Sequence, residues 1–270
     1  MDDYRASIYT SKYSNRKENL IFLEIYLLGV EVMETKEISI KGGFDGTQLK
    51  ILAIICMVID HVTWTFLPQD VYPVSSSILH FIGKLTFPIL CFFIAEGYKK
   101  SSNVPKYILR LFILALVSAV PFCMLFFNIL GFFLTTIFAL FFGLCALYLA
   151  GKTKNKVLKG VIVIFFMVIS VVGDGGISGV LLIYMFGTIE NRKKALIYGL
   201  VTMNGLDIAL TVLSGQAINS ELIISIVGTF ATYPFLINYN GKRGKSIKYF
   251  FYIFYPLHIV LLLGARMLIK

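Results

Sequence analysis

The chain has 270 residues, of which 57% are apolar and only 15% charged, with a formal net charge of +10. A water-soluble domain of this length usually has about a quarter of its residues charged, so lipid must supply part of the solvent. The cations sit in short connectors between apolar runs rather than on one basic domain. That excludes a nucleic-acid-binding role and fits loops facing anionic headgroups.

The first residues differ from all that follows. Residues 1–44 read as an N-terminal extension, disordered or amphipathic, that mixes acids and bases around one short apolar stretch, Leu20 to Val30. Glu24 interrupts the stretch, which is too short to span, and the acids argue against a signal peptide. A segment lying on the membrane surface is one reading, and a leader without a role, with Met33 as the true start, is the other. Residues 45–270 form the membrane domain.

From Leu49 onward the sequence predicts an all-α, polytopic membrane bundle of about nine transmembrane helices. The apolar runs are 49–67, 78–98, 107–127, 130–150, 157–172, 177–190, 195–213, 222–239 and 248–268. The fifth and sixth are short, so a tilted or partly re-entrant pair is expected, joined by the turn sequence Gly173-Asp174-Gly175-Gly176. Cys56, Cys91, Cys123 and Cys145 all fall in apolar runs without C-x-x-C spacing and read as small buried hydrophobes; no metal site is expected. Basic residues alternate between connectors. Lys99, Lys100 and Lys106 lie in one, Lys152, Lys154, Lys156 and Lys159 in the next, then Arg192, Lys193 and Lys194, then Lys242, Arg243 and Lys245. The connectors between them, 68–77, 128–129, 173–176 and 214–221, contain no Lys or Arg. The positive-inside rule places the basic loops in the cytoplasm, the N-terminus inside and, with an odd number of spans, the C-terminus outside. The setting is a bacterial plasma membrane.

Ionisable residues within spans are costly and default to a functional role. Depth from the basic edge makes four of them converge. His61 lies roughly 16 Å beyond Lys50, Asp207 about 20 Å beyond Lys194, and His258 about 15 Å beyond Lys248, at 1.5 Å per residue. Asp60, His61, Asp207 and His258 therefore share a level if their helices are neighbours. Histidine with carboxylates in a dry interior suits general-base catalysis, and equally a proton relay. Asp60 and His61 point about 100° apart, so His61's partner is expected on another span, with Asp207 a candidate. Lys84 reads either as a site residue or as a cation that snorkels or pairs with an acid. His80 reads as interfacial, Glu96 as a helix-end ion-pair partner of Lys99 or a ligand contact, and Asp174 as a turn residue. Tyr249, Tyr252 and Tyr255 read as packing or interfacial residues.

The basic loops can be topology signals alone, or a grip on phosphates. Gly241-Lys242-Arg243-Gly244-Lys245 suits the second reading best, since its glycines allow close backbone approach. It is not a P-loop. Lys106 and Arg110 could form an opposite wall.

Several stretches together resemble the TraX family, named for a conjugative-pilus protein and related to the membrane acyltransferase-3 group. They are Leu49-Lys50-Ile51-Leu52-Ala53-Ile54 with Ile59-Asp60-His61; Phe87-Pro88 with Ile94-Ala95-Glu96-Gly97-Tyr98; Lys106-Tyr107 with Leu109-Arg110-Leu111; and Ser118 to Phe122. The last is Gly241 to Lys245 followed by Lys248-Tyr249-Phe250-Phe251-Tyr252 and Phe254-Tyr255-Pro256-Leu257-His258. The resemblance runs from about Phe44 to near the C-terminus. It implies transfer of an acetyl group from acetyl-CoA, with a pilin N-terminus as the TraX acceptor. A glycan, lipid headgroup or small peptide is an equal alternative here. It also implies His61 as general base, Lys50 as a donor contact, and Arg110, Lys242, Arg243 and Lys245 as contacts for the donor's phosphates. His258 and Asp60 would shape the centre. Two rival functions are a proton-coupled transporter using Asp60, His61, Asp207 and His258 as a relay, and a non-catalytic membrane assembly protein whose buried polar groups hold helices together.

Overall fold

A computed structural model describes residues 42–127, 134–245 and 248–269. The extension over residues 1–41, Met33 included, and the connector 128–129 lie outside the described residues. Apart from one isolated bridge, Phe44 to Tyr239, the regular structure is helical. In chain order the helices are α1 (Gly46–Phe66), α2 (Pro73–Gly83), α3 (Thr86–Lys100), α4 (Val104–Phe126), α5 (Thr136–Gly151) and α6 (Lys156–Ser170). They continue with α7 (Gly176–Thr188), α8 (Arg192–Leu213), α9 (Ser220–Phe230), α10 (Tyr233–Ile237) and α11 (Lys248–Ile269).

Within lipid each backbone polar group must find a partner inside the protein, and the helix starts answer that demand locally. Asp45 caps α1 in a capping box with Gln48, and Asn103, Asn155, Asn191 and Asn219 accept backbone N–H groups at the starts of α4, α6, α8 and α9.

Six segments are long and apolar enough to cross a membrane: Gly46–Phe66, Pro73–Lys100, Val104–Phe126, Arg192–Leu213, Ser220–Ile237 and Tyr249–Ile269. The chain is a multi-pass membrane protein. Three expected spans fall on shorter helices. The expectation of a short fifth and sixth extends to the fourth, whose described helix, Thr136–Gly151, has 16 residues; α6 and α7 have 15 and 13.

Two of the long segments are broken, which the apolar runs do not reveal. Pro73–Lys100 breaks at Lys84-Leu85 and Ser220–Ile237 at Ala231-Thr232. Each break has a proline just beyond it. Pro88 cannot donate to the carbonyl of Lys84, nor Pro234 to that of Phe230, and each ring crowds the carbonyl four residues back. The two broken segments touch near the breaks. A Cβ on Gly228 would stand 2.7 Å from Lys84 Cβ and 2.9 Å from the Phe81 carbonyl oxygen. Pro121 and Pro256, by contrast, are accommodated inside α4 and α11.

α7 is the buried hub, packed on α3, α5, α6 and α8. α1 packs on α2, α3, α4 and α11 at the side of this hub. That position brings the residues of α1 to the centre of the candidate site.

Candidate functional site

The two histidines expected at one level meet. His61 Nδ1 of α1 and His258 Nε2 of α11 are 2.8 Å apart, with the rings stacked at 5.1 Å. His258 is buried, and Phe122 and Phe126 of α4 present ring edges to His61 at 6.4 and 5.3 Å. The hydrogen bonds define the tautomers. His258 Nδ1 lies 3.1 Å from the Phe254 carbonyl oxygen, which can only accept. His258 Nδ1 therefore carries the proton, and Nε2 of the neutral ring accepts from His61 Nδ1–H. That leaves the lone pair of His61 on Nε2, which has no hydrogen bond among the described residues.

The carboxylates go elsewhere. Asp60 does not reach His61; its Oδ1 accepts from His80 Nδ1 at 2.8 Å. His80 is thus a buried, paired residue and not an interfacial one, because Gly83 leaves room for the carboxylate. A Cβ there would stand 2.3 Å from Asp60 Oδ1. Asp207 is no partner of His61 either. Ser178 of α7 donates to Asp207 Oδ1 at 2.8 Å, and Lys84 is the cation that acts on it. The four residues of the sequence-predicted relay are therefore divided among three separate hydrogen-bonded pairs.

At the basic end, Lys50 is half-buried, with its ammonium 4.8 Å from the Phe93 ring centroid and 5.8 Å from that of Phe251. Arg243 and Lys100 are near enough to act on it electrostatically. α11 presents Phe251 to Lys50 and, one residue on, Tyr252 to Arg110, whose Nε is buried without a hydrogen-bond partner. Glu96 pairs with Lys100 at 2.8 Å rather than with Lys99, which donates to the Phe186 carbonyl.

The loop carrying Lys242, Arg243 and Lys245 is strapped to the start of α1. Gly46 N–H donates to the Lys242 carbonyl at 2.9 Å, and Thr47 Oγ1 to those of Lys245 and Arg243 at 2.6 and 3.2 Å. Gly244 has φ +73°, and a Cβ there would meet Asp45 Oδ1 at 2.4 Å, so only glycine fits. Lys100 holds the other side of the loop through Tyr239 Oη and the Gly241 carbonyl, both at 3.0 Å, and Arg192 donates to the Tyr239 carbonyl. The three cationic side chains of the loop are exposed. Between this end and the histidines, Ile51, Ile54, Ile55, Val58, Phe250 and Phe254 line an apolar groove between α1 and α11. Phe254 stacks on His258 at 5.4 Å.

The anchors Lys100, Tyr239 and Arg192 and the His80 pair are absent from the sequence-predicted site. For His80 the signal was available, since it lies one helical turn before Lys84 on an apolar stretch. Tyr252 contacts Arg110's neighbourhood, and Tyr255 is buried, while Asp174 accepts from Thr136 at the turn before α7. Among the described residues no cluster of His, Cys, Asp or Glu could hold a metal ion.

Comparison with known proteins agrees with the resemblance in the sequence. The family model described as "TraX protein" matches residues 45–266. A relative from Dichelobacter nodosus, named "Probable fimbrial assembly protein FimC, serogroup H1", is 32% identical over 243 residues, covering 84% of this chain and 98% of that protein. No solved structure matches the chain.

Proposed function

The chain belongs to the TraX family, and from that premise we propose that it is a membrane acetyltransferase serving pilus or fimbrial assembly. In this reading acetyl-CoA enters from the cytoplasm and the acceptor is the N-terminal amine of a pilin subunit. In the same reading the chain makes nine helical passes, with the basic loops inside and the end of α11 outside. The observation that carries the reading is the His61–His258 pair, whose tautomers leave a free lone pair on His61 Nε2.

The residues at the basic end suit a polyphosphate donor. Lys50, Lys100 and Arg243 form a cationic group in which the only ion pair among the described residues is Lys100 with Glu96, and Arg110 has a buried, unused Nε. Lys50, Arg110, Lys242, Arg243 and Lys245 would hold the phosphates, and the strapped loop fixes three of those cations relative to α1. When bound, acetyl-CoA supplies an activated acetyl thioester. The groove along α1 and α11 gives an apolar path, roughly 16 Å long by the helical rise from Lys50 to His61, for the uncharged arm. His61 Nε2 takes a proton from the attacking nucleophile, and His258 accepts from His61 Nδ1–H, stabilising the imidazolium that forms. His61 then returns the proton to the leaving sulfur.

The relay reading is weakened because its members sit in three pairs with no hydrogen bond linking them. The test is thiol release from acetyl-CoA by purified protein in nanodiscs, with membrane extract as acceptor and His61→Ala beside it. Release that the variant abolishes supports the enzyme. Well-folded protein that neither binds acetyl-CoA nor releases thiol, with His61→Ala still supporting fimbriation in cells, would make it a non-catalytic assembly factor.

A further inference from the structure

A second buried histidine, this one paired with a carboxylate, packs against α1. His80 is 8% exposed, and its Nδ1 is 2.8 Å from Asp60 Oδ1. A carboxylate accepts only, so Nδ1 carries the proton and Nε2 holds the lone pair. Nε2 has no hydrogen bond among the described residues. One turn earlier on the same face of α2, Ser76 Oγ is fully buried and also without a partner. Trp64 of α1 leans on the His80 ring, centroids 4.6 Å apart and planes at 50°, yet remains 57% exposed. The elements thus assembled are an oriented base, an unused hydroxyl and an open indole face. The indole face attracts an ammonium group and has no comparable attraction for a neutral hydroxyl.

Proton accounting gives such a place a task. An ammonium that becomes an amide loses two protons, one before it can attack and one as the C–N bond forms. The departing thiolate takes back one, so the other must leave by a second base. The His61–His258 pair handles only the later exchange, passing the proton lost as the C–N bond forms to the thiolate. We propose that Asp60, His80, Ser76 and Trp64 form the acceptor subsite: it binds the primary ammonium of a peptide N-terminus against Trp64 and transfers one of its protons to His80 Nε2. The resulting imidazolium stays paired with Asp60, and the neutral amine proceeds to attack. This inference rests on the acyl-transfer reading for its purpose but not for its test.

Trp64 is the single tryptophan of the chain, so fluorescence excited beyond the absorption of the tyrosines reports on this subsite, with empty nanodiscs as the blank. Full-length protein in nanodiscs is titrated with trialanine bearing a free N-terminus and, separately, with N-acetyl-trialanine. The expected result is a saturable change with the free amine only, at an apparent Kd raised about tenfold or more in Asp60→Asn, the loss of one charge-assisted contact. No change with the free amine, or an equal change with both peptides, overturns the subsite whatever the thiol assay gives. A selective change without any thiol release keeps the subsite and sinks acyl transfer instead.

The pH profile is the second readout, taken once thiol release with trialanine is seen. An α-amine of pKa about 8 is roughly nine-tenths charged at pH 7. His80→Gln should therefore lose about tenfold at pH 7 and approach the parent rate at pH 9.5, where the amine is already neutral. The charged group facing His80 is Asp60 of α1; of the elements packed on α2, α1 also carries Lys50 and the titratable His61, Lys84 follows α2 at its C-cap, and α9 carries only Glu221, in its first turn. A variant equally impaired at both pH values would show that His80 only holds α2 against α1.

Discussion

His61 and His258, 197 positions apart in the chain, share one hydrogen bond of 2.8 Å, and its direction follows from a backbone carbonyl at Phe254. A main-chain atom thus selects the nitrogen on which His61 is basic. His61→Ala should lower acetyl transfer by about 10²–10⁴, the usual range for a positioned base. His258→Ala should cost less, about tenfold or more, since Nε2 of His61 remains but its tautomer is no longer fixed. Turnover of both variants at saturating acetyl-CoA checks the order; equal loss in the two would make the pair a single unit.

Donor binding should depend on the cations at the basic end. Lys50→Met and Arg243→Ala are each expected to raise the Kd for CoA by roughly tenfold, one charge-assisted contact's worth, and to flatten its dependence on ionic strength. Equilibrium binding at two salt concentrations measures both. Unchanged affinity in both variants would reduce the basic loops to signals of topology.

Gly83→Ala tests the close approach of α1 and α2. Its Cβ would fall 2.3 Å from Asp60 Oδ1, so the Asp60–His80 bond must break or the helices must part. A loss of about 1–3 kcal/mol is expected, the range for overpacking, seen as a lower thermal midpoint in detergent. Gly244→Ala should lower that midpoint too and also weaken CoA binding, because its Cβ strikes the Asp45 cap of α1 and strains the loop that carries Arg243.

Orientation is open to direct chemistry. The native cysteines are all buried, giving a low labelling background. A thiol introduced by Lys154→Cys should react with an impermeant maleimide only in inside-out vesicles, and one introduced by Gln216→Cys only in intact cells. The reverse pattern would invert the whole bundle.

Much of the architecture was legible in the sequence because lipid imposes simple demands. Long apolar runs must be helices, and connectors rich or poor in Lys and Arg mark their ends, so each predicted span finds its helix or broken helix. Depth counting brought His61 and His258 together correctly because α1 and α11 are packed neighbours. The same counting left Asp207 and a residue of another span open as His61's partner, since equal depth says nothing about which helices touch: α8 packs on α7, and its carboxylate meets Ser178. His80 was misread because the apolar run was started at residue 78, whereas α2 begins at Pro73 and carries His80 well inside. The helix breaks were visible only through Pro88 and Pro234, whose effect lies four residues upstream of the rings themselves.

The shortness of α5, α6 and α7 has a consequence for the surrounding bilayer. Thirteen residues of α7 extend about 20 Å, against a hydrocarbon core of about 30 Å. Both ends are tied to polar partners, Lys99 on the Phe186 carbonyl and the Asp174 turn on the Leu134 carbonyl. On the nine-pass reading α6, with 15 residues, falls short of that core as well, and the lipid beside it would have to thin to meet the protein. Wherever α6 borders acyl chains, headgroups of both leaflets are drawn inward, and the chain becomes sensitive to the length of the fatty acids around it. Reconstitution in short-chain phosphatidylcholine should therefore stabilise it, and long-chain lipid should strain the short helices α5 to α7.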